Sequence, residues 1–482
     1  MKLSDVLRGV AVPGEDKEIS GIACDSRRVE PGFAFVCING VAVDGHRFAK
    51  AALDKGAAAL IVERDLGLPG QVLVADTRDA WAAMAENWFG RPTERMRLIG
   101  ITGTNGKTSS TYMLKQILEA CGRKVGLIGT IQNMIGQQLL PACHTTPEAY
   151  ELQSIFALMA DAGCTDVVME VSSHALAQKR VAHLTFDASI FTNLTQDHLD
   201  YHKTMENYCA AKKELFLHSR LSILNADDPW YPAMAEGLPC PVIPYGLDTD
   251  CPGGCRGSRL VCRPDGISYH VQGEGAEGDI TLGIPGRFSA YNSLGVLTCA
   301  LALGVPFDTA RQALASVRGV KGRAEVVPTG RGFTVVIDYA HTPDGLEKIC
   351  QTLRESTAGR LITVYGCAGE RDRGKRPQMG AIAARYSDLS VITSDNPRHE
   401  DPMAIIEEVL PGIPDGAAYA VFADRREAIR YAVTQAQPGD TVLLAGKGHE
   451  TYQVLRTGIL HLDEREEVAK ALGMTSKREL KV

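Results

Sequence analysis

Residues 97–121 read RLIGITGTNGKTSSTYMLKQILEAC. Residues 97–102 are an apolar run of strand length, and the stretch after Ser109 carries Met113, Leu114, Ile117, Leu118 and Cys121 on one face at helical spacing. The loop between them, Gly103-Thr104-Asn105-Gly106-Lys107-Thr108-Ser109, is built for phosphate. Its glycines let backbone N–H groups converge on phosphate oxygens, Lys107 neutralises β- and γ-phosphate charge, and the Thr108 hydroxyl suits magnesium. The pattern departs from GxxxxGK[ST], because Ile101 stands five residues before Gly106 and the glycine falls at Gly103. Strand, phosphate loop and helix together predict a nucleotide-binding α/β domain that takes ATP.

Working outward, further strands are expected at DVVMEVS, ASIFTNL and SILNADD, with helical stretches such as ENYCAAKKELF between them. That alternation predicts a largely parallel sheet wrapped by helices. From FTVVIDY a second alternation begins, with LITVYG, LSVIT, YAVFA and TVLLAG as strands of a smaller doubly wound fold. On the N-terminal side, DAWAAMAENWFGRPTERM reads as a helix punctuated by Gly90-Arg91-Pro92. The expected fold class is therefore α/β with three domains, at residues 1–88, 89–323 and 324–482.

The chain has 482 residues, too many for one ordinary core. A formal charge of -7 leaves no basic footprint for nucleic acid, which argues for small-molecule chemistry. The start, MKLSDVLRGVAVPGEDKE, lacks the features of a signal peptide, and no apolar run is long enough to span a bilayer, so a cytoplasmic location is expected. Thirteen scattered cysteines are expected to be reduced. Only Cys251, Cys255 and Cys262 lie close enough together to raise zinc, and their spacing lacks a second ligand pair.

Polar clusters add chemistry to the loop. Glu170 ends an apolar run, where a strand-tip carboxylate can hold magnesium or simply face solvent. FTNLTQDHLDYH concentrates Asn193, Asp197, His198, Asp200 and His202 just after a strand, and Lys212 and Lys213 follow on a helix. Such a cluster fits metal and phosphate handling, although His198 or His202 taken singly reads more readily as a capping or structural histidine than as a ligand. Thr145-Thr146-Pro147-Glu148 also reads as a helix start, with Thr146 as its cap.

Taken in order, DSRRVEPGFAFVCING, DGHRF, TGTNGKTS, TTPEA, MEVSSHALAQKRV, FTNLTQDHLDYH, AAKKELF, DYAHTPD, GCAGERDRGKRP, SDNPR and AGKGHE cover nearly the whole chain. They resemble the Mur ligase family, in its branch of UDP-N-acetylmuramoyl-tripeptide synthetases. The resemblance implies a UDP-binding α/β domain, a central P-loop ATPase domain and a C-terminal Rossmann-like domain that brings the amino acid in. It places Ser26, Val41, Ala42 and Val43 at the uridine nucleotide, and Thr145, Thr146, Ser172, Gln178 and Arg180 at the muramoyl-dipeptide. His144 stands where the family has asparagine. The same resemblance makes Lys212 the carbamylated lysine that binds magnesium together with Thr108, Glu170 and His198, and Asn292 an adenine-side contact. Tyr291 replaces the familiar histidine before it.

Asp395-Asn396-Pro397-Arg398 is the string that, in the family, accompanies meso-diaminopimelate. A guanidinium can grip that molecule's second carboxylate, which lysine lacks. Arg371, Gly446 and Glu450 match the other amino-acid contacts, with Glu450 suited to the distal ammonium. The implied enzyme uses Mg-ATP to phosphorylate the D-glutamyl γ-carboxylate of UDP-MurNAc-L-Ala-D-Glu. The amine of diaminopimelate then attacks the acyl phosphate, with Lys107, Lys212 and His198 as the catalytic groups of an expected monomer. A lysine-adding ligase, a folylpolyglutamate-type ligase and a non-enzymatic nucleotide switch are the competing readings.

Overall fold

The chain divides into two compact units, Met1–Gly254 with Gly295–Val305, and Cys255–Leu294 with Pro306–Val482. The computed structural model describes residues 1–40, 43–142 and 144–474. Among these, no helix is long and apolar enough to cross a membrane.

The first unit opens with a four-stranded parallel sheet in chain order, Gly21–Ala23, Phe33–Val36, Ala59–Val62 and Gln71–Leu73. The helix Thr77–Trp88 follows, capped by the Asp76 carboxylate. Its Trp81 ring stacks on Tyr150 at 5.8 Å. Ala149 joins the same apolar cluster, so this region shares a core with the segment beyond residue 88. Parallel strands then run in the order Val242–Gly246, Ser222–Asn225, Ala188–Phe191, Arg97–Thr102, Asp166–Glu170 and Val125–Ile128. Antiparallel Asn133–Ile135 and Gln138–Leu140 extend that side. Ile99, Ile101, Val167, Val168, Ala188 and Phe191 are all fully buried, as expected of a parallel sheet covered on both faces. Arg97–Thr102 lies between two strands that come later in the chain. The strand order therefore reverses at the carboxyl end of Arg97–Thr102, and such a switch point is the usual ligand position in sheets of this kind.

The second unit contains an antiparallel meander, Cys255–Arg263, Gly266–Gly273 and Ala276–Leu282, which the expectation of parallel strands did not include. Its first strand alternates buried and exposed residues and absorbs Cys255 and Cys262. Among the described residues no three His, Cys, Asp or Glu side chains form a metal-holding group. The remaining sheet runs Glu325–Val327, Thr334–Asp338, Thr441–Ala445, Leu361–Cys367, Leu389–Ser394 and Tyr419–Phe422, parallel apart from its first pair. Here too, the loops after Asp338, Cys367, Ser394 and Ala445 leave the same edge of the sheet.

Arg425 and Glu464 form an ion pair at 2.7 Å with both side chains fully buried. The guanidinium also donates to the Ala445 carbonyl at 2.7 Å, which ties the helix Arg425–Gln435 to the strand that carries the pocket loop. Burial pushes the Glu464 carboxyl above its ordinary range, and the nearby Arg425 cation opposes that shift. Replacing Arg425 with alanine leaves a buried carboxylate unpaired. Scanning calorimetry is expected to show a loss of about 3–5 kcal/mol, and a loss under about 1 kcal/mol would contradict it.

Candidate active site

In the first unit the phosphate loop is held by its neighbours before any ligand arrives. Gly103 has φ +152°, and a Cβ placed there would come within 1.9 Å of the Thr192 hydroxyl, so only glycine fits. Asn193 clasps the loop from the adjacent strand end. Its carbonyl accepts from the Thr104 N–H at 2.9 Å and its side-chain oxygen from the Asn105 N–H at 3.0 Å. Gly106, in the left-handed conformation at φ 88°, precedes the helix Lys107–Ala120, and no side chain caps the helix there. The Lys107 ammonium folds back onto the carbonyls of Gly103 and Thr104, at 2.8 and 3.0 Å.

Glu170 is buried at the tip of the neighbouring strand. One of its oxygens accepts from the Thr108 and Thr130 hydroxyls at 3.1 and 3.0 Å, and the other from the Thr130 N–H at 2.9 Å. Thr130 in turn shares a 3.0 Å hydrogen bond with Thr145. The carboxylate and the hydroxyls are hard oxygen donors, a set that fits magnesium.

Lys212 is the unusual group. It lies on the helix Met205–Leu217 with 1% exposure, and its Nζ donates to the Gly103 carbonyl at 2.9 Å. The Tyr208 ring, one helical turn earlier, lies 4.5 Å from the same nitrogen. Burial drives the pKa of this lysine well below its ordinary value, and the Lys107 cation adds to the effect. His198, in the left-handed conformation at φ 52°, brings its ring within 4.9 Å of His174. His202 is buried against the Ser173 hydroxyl at 2.9 Å, and burial lowers its pKa.

The second unit holds a pocket of about 510 Å³ at the diverging loop ends. Tyr339, Arg371, Asp395, Asn396, Arg398, Gly446 and Glu450 line it, together with His341, Asp372 and Lys375. Pro397 is buried beside them but is not among the lining residues; its carbonyl packs against Gly369. The loop carrying Arg371 is anchored from behind. Buried Arg376 binds Glu400 and Glu408 at 3.0 and 2.8 Å, and Glu400 accepts the Glu370 N–H at 2.5 Å. The hydrogen bonds from Arg376 hold the Glu400 carboxyl down at about 2.

Three family models match the chain: Mur ligase family, catalytic domain, at residues 18–85; Mur ligase middle domain at 101–300; and Mur ligase, glutamate ligase domain, at 322–448. A protein of Caldanaerobacter subterraneus subsp. tengcongensis named UDP-N-acetylmuramoyl-L-alanyl-D-glutamate--2,6-diaminopimelate ligase is 47% identical, over 99% of this chain and 100% of its own. The chain belongs to the Mur ligase family. A protein of the same name from Syntrophomonas wolfei is 45% identical to this Mur ligase, over 98% of this chain and 99% of its own. A solved structure of a ligase of that name superposes with TM-score 0.77 at 30% identity, covering 98% of this chain and 99% of the other.

The remaining expected residues of this Mur ligase fall into two groups. Thr146, Ser172, Gln178 and Arg180 come together beside Glu170. The Thr146 hydroxyl donates to the Glu170 carbonyl at 2.9 Å and accepts the Ser172 N–H at 3.1 Å. Arg180 bonds the Thr146 carbonyl at 2.9 Å and the Gln178 side chain at 2.8 Å. Thr146 is therefore not a helix cap. The helix Ala149–Asp161 starts from Glu148 instead, because the Thr146 hydroxyl is already engaged at the strand tip. By contrast, Ser26 opens a short 3-10 turn capped by Asp25, and Val43 is half exposed. Val41 and Ala42 lie outside the described residues. Asn292 is buried on the helix Arg287–Ala302. Lys213 donates to the Ala233 carbonyl, away from the loop.

Sequence reasoning did not single out Thr130, Tyr208 or Lys447. Tyr208 stands four residues before Lys212, a spacing that puts both on one helix face and was there to be read.

Proposed function

We propose that this Mur ligase joins meso-2,6-diaminopimelate to the γ-carboxylate of D-glutamate in UDP-MurNAc-L-Ala-D-Glu, converting ATP to ADP and phosphate, as a step of peptidoglycan precursor synthesis. The observation that carries this reading is the second unit's pocket, where Arg371 and Arg398 share about 510 Å³ with Asp395 and Glu450. Diaminopimelate offers a complete amino-acid group at each end. A pocket with both signs of charge can hold one end while the other presents its amine. Lysine would leave a guanidinium without a carboxylate, so discrimination comes from rejection as well as attraction. The relatives that carry the diaminopimelate ligase name align over almost the full chain, which supports the same reading.

The chemistry follows from what a carboxylate lacks. It is a poor acyl donor until one of its oxygens attacks the γ-phosphorus of ATP, which releases ADP and leaves an acyl phosphate. The amine then attacks the carbonyl carbon, the tetrahedral intermediate expels phosphate, and the amine's proton leaves as the amide forms. Lys107 releases the Gly103 and Thr104 carbonyls and takes phosphate oxygens, so it neutralises charge where charge develops. The Thr145–Arg180 group orients the dipeptide carboxylate beside the loop. Lys212, buried and with its pKa lowered, loses a proton to expose its free amine; the nitrogen then bonds to the carbon of CO2 and releases a second proton to solvent, leaving a carbamate anion where an ammonium would otherwise be buried. Thr108, Glu170, His198 and that carbamate would hold magnesium, which supplies charge neutralisation at the phosphate oxygens when bound.

The test is phosphate release from ATP with UDP-MurNAc-L-Ala-D-Glu, with product mass measured, comparing meso-diaminopimelate with L-lysine. Release and a tripeptide product with diaminopimelate are expected. Preference for lysine would overturn the role given to Arg398, and release that ignores both amines would overturn the ligase reading.

A further inference from the structure

Lys447 belongs to none of the contacts described so far, yet it is a fully enclosed cation in the second unit's pocket wall. Its side chain is 0% exposed. Nζ donates to the Asn396 side-chain oxygen at 2.9 Å and to Glu450 Oε2 at 2.6 Å, and lies 3.9 Å from Asp395. The Tyr452 ring closes one side, 5.2 Å from the same nitrogen. The backbone beside it is closely packed. The next residue, Gly448, has φ +53°, and a Cβ there would come within 2.7 Å of Tyr339.

The hydrogen bonds around it form a closed set. Asn396 spends its oxygen on Lys447 and on the Val454 N–H at 2.9 Å, and its NH2 donates to Glu450 Oε2 at 3.1 Å. Oε2 of Glu450 is thereby taken twice, so Oε1 is the oxygen left for an incoming ammonium. Two carboxylates, Asp395 and Glu450, share this one lysine, so its cation does not cancel both of them. Removing the lysine would leave the Asp395 and Glu450 carboxylates without the cation they share, and would take one of two donors from the Asn396 oxygen.

We propose that Lys447 is a positioning residue for amino-acid binding: it locks Glu450 and Asn396 into one unit and sets the charge of the end of the pocket that receives ammonium. This rests on the ligase reading above and deepens it. Lys447 touches no reacting atom, so its effect belongs in the amino acid's KM, not in the phosphoryl-transfer step.

The experiment compares wild type, Lys447→Met, Glu450→Gln and the double variant. KM is measured for diaminopimelate, ATP and UDP-MurNAc-L-Ala-D-Glu, alongside thermal unfolding. Lys447→Met is expected to raise the KM of diaminopimelate about 50-fold or more while the KM values of ATP and acceptor stay within about threefold. In the Glu450→Gln background the same substitution is expected to add less than about threefold, because the partner it serves is gone. The double variant also removes both charges of the pair, and so provides the comparison if Lys447→Met alone does not fold. An unchanged KM for diaminopimelate, a parallel rise in all three KM values, or full additivity in the double variant would overturn the proposal. Wild-type enzyme that releases no phosphate with diaminopimelate would instead sink the ligase reading itself.

Discussion

Lys212→Ala is expected to lower kcat by about 10³-fold or more, with the KM of diaminopimelate little changed, because the proposed carbamate would act at the phosphate side of the reaction. The substitution empties a buried slot beside the Gly103 carbonyl that a small carboxylate can enter. Formate or acetate is therefore expected to restore part of the activity. Wild-type enzyme stripped of CO2 is expected to regain activity on adding bicarbonate and, at a fixed concentration of dissolved CO2, to do so faster as pH rises. The sign follows from the direction of the shift. The folded pKa of Lys212 is depressed, chiefly by burial, so the free amine that reacts with CO2 grows as pH rises through that folded value and is lost as pH falls through it. Steady-state rates across pH, with and without bicarbonate and formate, measure this. A Lys212→Ala enzyme that keeps its rate, or stays inert with every small carboxylate while bicarbonate has no effect on wild type, would refute the carbamate.

Arg398→Ala is expected to reduce kcat/KM for diaminopimelate by about 30- to 3,000-fold, the range for truncating one partner of a hydrogen-bonded charge pair. The loss for L-lysine should be far smaller, because lysine has no second carboxylate to lose. The ratio between the two amino acids therefore collapses, and that ratio is the quantity to measure. Arg398→Lys should restore little, since an ammonium cannot reproduce two parallel N–H donors. Arg398 sits at φ 56° with its N–H held by the Val454 carbonyl at 3.0 Å, so the backbone presents the side chain at the pocket whichever residue follows Pro397. Equal losses for both amino acids would assign Arg398 to general stability of the pocket wall and remove it from selectivity.

Much of this molecule is legible without coordinates, and the parts that are share a physical character. The strand, phosphate loop and helix at 97–121 are local: an apolar run, glycines where backbone must approach phosphate, and a helical stripe are all set within a few turns of chain. The strands at 166–170, 188–191, 222–225 and 334–338 announce themselves in the same way, as buried apolar runs. The meander at 255–282 was missed although Ile267, Tyr269 and Val271 alternate at strand spacing in its middle strand; the strands on either side are half exposed and carry few apolar residues, so the signal is confined to one short window.

The chemistry of single side chains is another matter. Lys212 and Lys213 are neighbours of identical type, yet one is buried with a depressed pKa and the other reaches a surface carbonyl. Only the packing of the helix against the phosphate loop separates them. Thr146 reads as a helix cap until the strand tip at Glu170 claims its hydroxyl from 24 residues away. Lys447 looks like one more charged residue in a glycine-rich loop until Asn396, 51 positions earlier, is brought to its ammonium. By itself, then, the sequence determined the fold class, the phosphate loop and the family, because these depend on local spacing and on ordered motifs. The tertiary structure alone decided which lysines lose their water and which carboxylates they face, because desolvation and charge pairing are set by residues far apart in the chain.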